Sequence, residues 1–228
     1  MMKKIFKHIF SIYFIILLSF CSFSNAETGK LNNPENKILK KIEDKYLGKN
    51  FTGNFHQIST LKAIDITEKA FGKVFFGSSG KMKWEYYMPE KHQIITNGET
   101  LWIYRPEQNQ IIKGTSLEFF QTGAGGSFLS NISSIKKNYK ISIKKNNDSF
   151  INILLIPKQK NPQISLIEIK VLKKNDEIKK IITSNIYGDT TEIEFKDIQF
   201  KKLDDSMFEF IIPKGTDILF MKDNIGKN

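Results

Sequence analysis

From Phe51 onward the hydrophobic period of the chain is two, and that alternation restricts the fold more than any other feature. "FTGNFHQIS", "GKVFF", "KMKWEYY", "HQIIT" and "TLWIY" follow one another, punctuated by Gly, Pro and Asn-Gly, and read as successive antiparallel strands. Strands resume over 139–145, 150–156, 164–172, 178–184, 191–200 and 207–212. Ahead of them "NNPENKILKKIEDKYLGKN" predicts one helix, with Asn33 as cap, Pro34 first and Gly48 as stop; Ile38, Ile42 and Tyr46 form its apolar stripe, with Leu39 beside it. Between Lys113 and Lys137 the alternation stops. There Leu117 with Phe120, and Phe128 with Leu129, Ile132 and Ile135, fit two short helices joined by "TGAGG", a candidate lid. About eleven strands make a mainly β chain whose large antiparallel sheet must curl. With the leading helix and the helical insert on its concave face, it forms an unclosed half-barrel; an ordinary sandwich is the alternative.

Asn97-Gly98 is the strongest local signal, because a two-residue type I′ loop needs positive φ at both positions. Such a loop pairs Ile94 with Leu101 and Gln93 with Trp102, placing Ile94, Leu101 and Ile103 on one face and Ile95, Trp102 and Tyr104 on the other. On the preceding strand Met82, Trp84 and Tyr86 oppose Lys81, Lys83 and Glu85, which identifies its inner face. Whether these aromatics pack as a core or line a ligand site is left open by their pattern alone.

Residues 1–26 stand apart. Lys3, Lys4 and Lys7 precede the apolar run from Ile9 to Leu18, and Asn25-Ala26 closes a small-residue patch, the pattern of a signal peptide cleaved after Ala26. The run is short of the ~20 residues of a membrane anchor. Cys21 follows Phe20 rather than a small residue, so it reads as an ordinary signal-peptide residue, and cleavage leaves a chain, 27–228, without cysteine. That chain has the size of a single domain. Losing the three lysines, with no acid among 1–26, takes the net charge from +11 to +8. The excess is spread as Lys-Lys pairs at strand ends, where it discourages edge pairing. Nucleic acid is not an expected partner of an exported protein.

Chemistry-bearing patterns are few. His56 and His92 lie apart without partner motifs and are expected to be solvated; no metal site, catalytic residue or cofactor is expected. "GAGG" at 123–126 lacks the strand-to-helix context and the Lys of a phosphate loop, and Asp204-Asp205 reads as a solvated turn. The chain is not expected to be an enzyme.

Taken in order, "FTGNFHQ", "GKVFF", "MKWEYYMP", "NGETLWIY", "SFLSNI" and "TTEIEFKDIQF…FEFIIPKGTDI" resemble the periplasmic lipoprotein carrier family LolA across nearly all of 27–228. The resemblance implies a half-barrel with a helical lid, acting in the periplasm as a chaperone. Such a carrier receives acylated lipoproteins from an inner-membrane lipoprotein-releasing ABC transporter, shields their acyl chains and passes them to an outer-membrane acceptor lipoprotein. It works as a monomer. The family's acyl-facing positions fall on Met82, Trp84 and Ile94; strand alternation adds Phe55, Val74, Phe76 and Tyr86, and the turn register adds Leu101 and Ile103. Leu117, Phe120, Phe128 and Leu129 are the expected lid residues. Where family members hold the lid with the arginine of an Arg-Pro pair, this chain has Ser78-Ser79, which departs from that device. An envelope sensor of lipidic or misassembled components on the same fold is the rival reading. On the carrier reading, Met82→Glu or Ile94→Glu is expected to abolish acyl binding and leave the fold intact.

Overall fold

The computed structural model describes residues 33–121, 129, 132 and 134–221, the side chains of 118, 120 and 121 excepted; residues 1–26, expected from sequence to be a signal peptide, lie outside them. Its contacts divide the chain into two compact units, 1–37 and 38–228. In the first, the described residues open helix α1, Pro34–Tyr46, where Asn33 caps as expected: its Oδ1 accepts from the Glu35 N–H at 3.0 Å and its carbonyl from Lys37 N–H at 3.1 Å. Gly48 ends the helix with φ +68°.

The second unit is one unclosed twelve-stranded sheet. Its strands are β1 (Phe51–Leu61), β2 (Ile66–Phe76), β3 (Met82–Met88), β4 (His92–Thr96), β5 (Thr100–Arg105), β6 (Gln110–Thr115), β7 (Tyr139–Asn146), β8 (Phe150–Pro157), β9 (Leu166–Leu172), β10 (Glu177–Ser184), β11 (Thr190–Phe200) and β12 (Asp217–Phe220). The order across the sheet is β12-β6-β5-β4-β3-β2-β1-β11-β10-β9-β8-β7. Two short helices, α2 (Ser116–Gln121) and α3 (Ile135–Asn138), lie between β6 and β7. Every pairing is antiparallel except β12 with β6, which is parallel.

Directly paired residues share a face, so the register fixes one face from end to end. It carries Phe51 and Phe55, Val74 and Phe76, Met82 and Trp84, Leu101, Phe195, Ile193, Ile181, Ile169 and Ile153, all at most 2% exposed and all in one apolar cluster. From Ile38 on, α1 lays Leu39, Ile42 and Tyr46 onto this cluster, joined by Phe119, Leu129, Ile132 and Ile135. Three strand spacings separate β3 from β11, about 14 Å, yet the Trp84 and Phe195 rings stand 6.2 Å apart. The side chains converge because the sheet is concave on this side.

Four elements differ from the sequence reading: β6 and β12 are not among its strands, and the β4–β5 connection and residues 207–212 take another form. Between β4 and β5 the first cross-strand pair is Thr96 with Leu101, four residues, Asn97 to Thr100, lying between them, and Ile94 pairs with Ile103. Only Gly98 takes positive φ there, +102°, so the type I′ requirement fails. Asn97 Oδ1 instead accepts from the Glu99 and Thr100 N–H groups, both at 3.0 Å. The shift is two residues, so the assignment of faces is unchanged. Residues 207–212 are not a strand: Asp205–Phe208 is a 3-10 turn, and the segment after it crosses the outer face. Phe208 packs with Phe75 and Leu203, while Phe210 and Ile212 cover Ile95, Trp102 and Ile111.

Candidate ligand-binding face

Alternation along β1, β2 and β3 brings the residues singled out in the sequence onto the concave face. Phe55, Val74, Phe76, Met82, Trp84 and Leu101 are buried there, and Tyr86, Ile94 and Ile103 are half-buried against them. The rings interlock. Phe51 stacks on Phe76 at 4.7 Å, Trp84 meets Phe76 edge-on at 5.8 Å, and Phe55 meets both Trp84 and Tyr86 at 4.9 Å. Each such pair adds about 0.5–1.5 kcal/mol to simple burial. In this conformation the floor is therefore packed.

Free space lies at one end of it. A cavity of about 510 Å³ is bounded by Tyr46, Phe51, Phe76, Gly98, Leu129 and Ile132 and by the Gly77–Gly80 turn. Ser78 sits on its rim with its N–H donating to Asn50 Oδ1 at 3.1 Å, which ties the β2–β3 turn to the segment after α1. The same turn closes on Gly98, where a Cβ would lie 2.6 Å from the Ser79 carbonyl oxygen. Below it α2 is fastened to the β4–β5 loop. Buried Thr96 and Ser116 hydrogen-bond through their hydroxyls, Gly98 N–H donates to Thr96 Oγ1 at 3.0 Å, and Ser116 N–H donates to the Glu99 carbonyl at 2.9 Å.

Among the expected lid residues, Leu129 is buried on the floor. Leu117 is not: it is 66% exposed, because α2 begins at Ser116 and turns Ser116 and Phe119, three residues apart, inward. The Phe120 side chain and Phe128 lie outside the described residues. His92 is also not simply solvated. Half-buried, it stacks on Tyr86 at 4.0 Å, and burial lowers its pKa below the usual imidazole value, only partly offset by its bond with the Glu90 carbonyl. Burial likewise raises the Tyr86 hydroxyl, which donates to Gln57 Oε1 at 3.0 Å. His56 is exposed, as expected. Asp204 caps the 3-10 turn through Ser206 N–H, and Asp205 pairs with Lys81 at 3.0 Å. No group of three or more potential metal ligands occurs among the described residues. Nor is any helix among them long and apolar enough to cross a membrane.

Sequence reasoning passed over Tyr46 as a polar anchor. Its ring packs edge-on against Phe51 at 5.3 Å while its hydroxyl accepts the Ile178 N–H at 2.9 Å, so one side chain pins α1 to β10. A Tyr in place of Leu at the end of an apolar stripe was the available signal.

The profile described as "Outer membrane lipoprotein carrier protein LolA" matches residues 48–211. An outer-membrane lipoprotein carrier protein of Neisseria meningitidis serogroup C is 27% identical over 199 residues, covering 87% of this chain and 90% of that one. One from Methylobacillus flagellatus is 24% identical over 168 residues, covering 73% and 80%. The crystal structure of an uncharacterized conserved protein from Thermus thermophilus shares the fold, with a TM-score of 0.56 at 11% identity over 83% of this chain and 100% of that one. With the matched segment running from the end of α1 through β11 and onto the outer-face crossing, the chain belongs to the LolA family of outer membrane lipoprotein carrier proteins.

Proposed function

We propose that the chain is a periplasmic carrier whose concave face shields the acyl chains of lipoproteins between the inner and outer membranes. In this reading residues 1–26 are a cleaved signal peptide and 27–228 a single carrier domain working as a monomer. An inner-membrane ABC transporter loads it and an outer-membrane acceptor lipoprotein unloads it, with no covalent step. The observation that carries the reading is one continuous apolar face on an open sheet, roofed by helices and bordered by a cavity, in a chain of this family.

The energetics fit the role. Each acyl methylene kept from water is worth about 0.8 kcal/mol. If a methylene takes roughly the ~30 Å³ of a liquid water, the 510 Å³ cavity admits about seventeen, one long chain. Further chains need space now held by Leu129, Ile132 and Phe119, so loading displaces the helical cover while the ring floor stays in place. Val74, Phe76, Met82, Trp84, Ile94, Leu101 and Ile103 are then the contact surface.

The test is to purify the protein from envelope extract and identify what it holds by mass spectrometry. Triacylated peptides are the expected cargo. Recovery of the protein with only free fatty acid or phospholipid, across independent preparations, contradicts the reading.

A further inference from the structure

The apolar face has an abrupt polar boundary. On β1, β11 and β10 the registered trio Gln57, Ile193 and Ile181 is followed two residues on by Ser59, Thr191 and Thr183. Residues two apart share a face, so these three hydroxyl-bearing side chains lie side by side on the concave side, about 7 Å beyond the isoleucines. With Thr60, Thr190 and Ser184, which the register puts on the opposite face, they line a cleft of about 280 Å³ around the strand ends, away from the 510 Å³ cavity, completed by Gln163 and Asp189 among others.

The cleft offers hydroxyl and amide groups and one carboxylate, but no cation. Its lining contains no lysine, arginine or histidine. Its carboxylate is already engaged, with Asp189 Oδ1 accepting from Lys62 N–H at 2.9 Å and Oδ2 from Asn185 Nδ2 at 2.8 Å. Lys62 runs alongside Gly188, which is not part of the lining. Hydroxyl and amide groups without a cation suit ester and amide carbonyls. They are a poor match for a phosphate or a free carboxylate, which would enter without a counter-charge.

We propose that this cleft is a head-group subsite that reads the uncharged glyceryl esters and N-acyl amide of an acylated N-terminal cysteine, and so discriminates lipoprotein anchors from fatty acids and anionic phospholipids. The proposal rests on the carrier reading and adds selectivity to it. Acyl chains extend from the cleft over Ile193, Ile181 and Phe55, with the carbonyls held at the hydroxyl row.

The experiment compares binding of a synthetic triacyl-cysteinyl peptide, palmitate and phosphatidylglycerol by isothermal calorimetry. It uses the wild type, the triple variant Ser59→Ala, Thr183→Val, Thr191→Val, and the single variant Gln163→Leu, which lies outside the strands and cannot disturb a ladder. Urea midpoints confirm folding. Wild type is expected to prefer the lipopeptide, and the triple variant to lose about tenfold or more of that affinity while its palmitate affinity is unchanged. Gln163→Leu should move the same ratio in the same direction. A wild type without preference, or variants that keep the full preference, overturns the subsite. A wild type that binds neither lipopeptide nor palmitate overturns the carrier reading itself.

Discussion

Met82→Glu tests whether the floor is a packed core or an open cavity. Met82 is 0% exposed, paired with Phe76 on β2 and Thr96 on β4, and packed within the apolar cluster. The expectation from sequence that this change spares the fold is therefore corrected, because the carboxylate would have neither water nor a partner. Two costs follow. Losing the buried thioether costs about 1.5–3 kcal/mol. The carboxyl must also stay protonated, and holding a group of ordinary pKa ~4.3 neutral at pH 7 costs roughly 1.36 kcal/mol per pH unit, about 3.7 kcal/mol. The folded-state pKa of such a group is raised, so the second cost is absent below about pH 4.3 and grows as pH rises toward the buried value. The total, ~5–7 kcal/mol at pH 7, rivals the whole stability of many domains. Urea unfolding of Met82→Glu and Met82→Gln at pH 4 and pH 7 isolates the charge. The two variants should unfold alike at pH 4 and differ by about 3–4 kcal/mol at pH 7. Equal midpoints at both pH values would show that position 82 faces water, and the packed-floor argument would fail. Ile94, half-buried at the edge of the cluster, is the position where a Glu can test acyl binding in a folded protein.

Three further outcomes are expected. Gly98→Ala places a methyl 2.6 Å from the Ser79 carbonyl at φ +102°, and should lower stability by about 2–3 kcal/mol in urea titration; an unchanged midpoint would mean that the two turns do not meet. Tyr46→Phe keeps the ring contact with Phe51 but leaves the Ile178 N–H without its acceptor; a loss of about 1–3 kcal/mol should appear, with hydrogen exchange at that amide accelerated, and unaltered exchange there would contradict the assignment. In Trp102→Phe the remaining Trp84, 2% exposed, should emit at short wavelength and respond to added lipopeptide, while Trp84→Phe should not respond; a ligand response confined to Trp102 would put the binding surface on the other side of the sheet.

Strand alternation made the concave face legible because it depends on parity, which survives errors of two residues. The Asn97-Gly98 register is such an error: four residues rather than two lie between the first paired residues, yet Ile94, Leu101 and Ile103 kept their side. What parity cannot report is whether alternation ends in a ladder. Phe208, Phe210 and Ile212 alternate like a strand, but Phe208 fills a gap above Phe75 while Phe210 and Ile212 lie over Trp102, with no strand pairing. Conversely β12 has four exposed residues and no periodic signal; it exists only because Asp217–Phe220 finds the free edge of β6. The helical cover was legible in kind but not in rotation. Leu117 and Phe120 fit an apolar stripe, whereas the Thr96–Ser116 bond fixes α2 so that Phe119 is turned in and Leu117 out.

That bond also bears on how the proposed carrier would work with Ser78 where the family resemblance places a lid-holding arginine. The departure at Ser78 removes a long forked donor, but the cover is held here by short polar ties at its base and by apolar contact elsewhere. On the proposed reading, an acyl chain that displaces Leu129 and Ile132 substitutes one apolar contact for another, so the exchange is close to neutral per methylene. The ties at Thr96, Ser116 and Asn50 need not break, because they hold the end of α2 and the segment after α1, not Leu129 and Ile132. On that same proposal, a cover retained at its base and exchangeable along its length would admit cargo and resume its place after release, and the free energy that sets direction would come from the membranes and partners at either end.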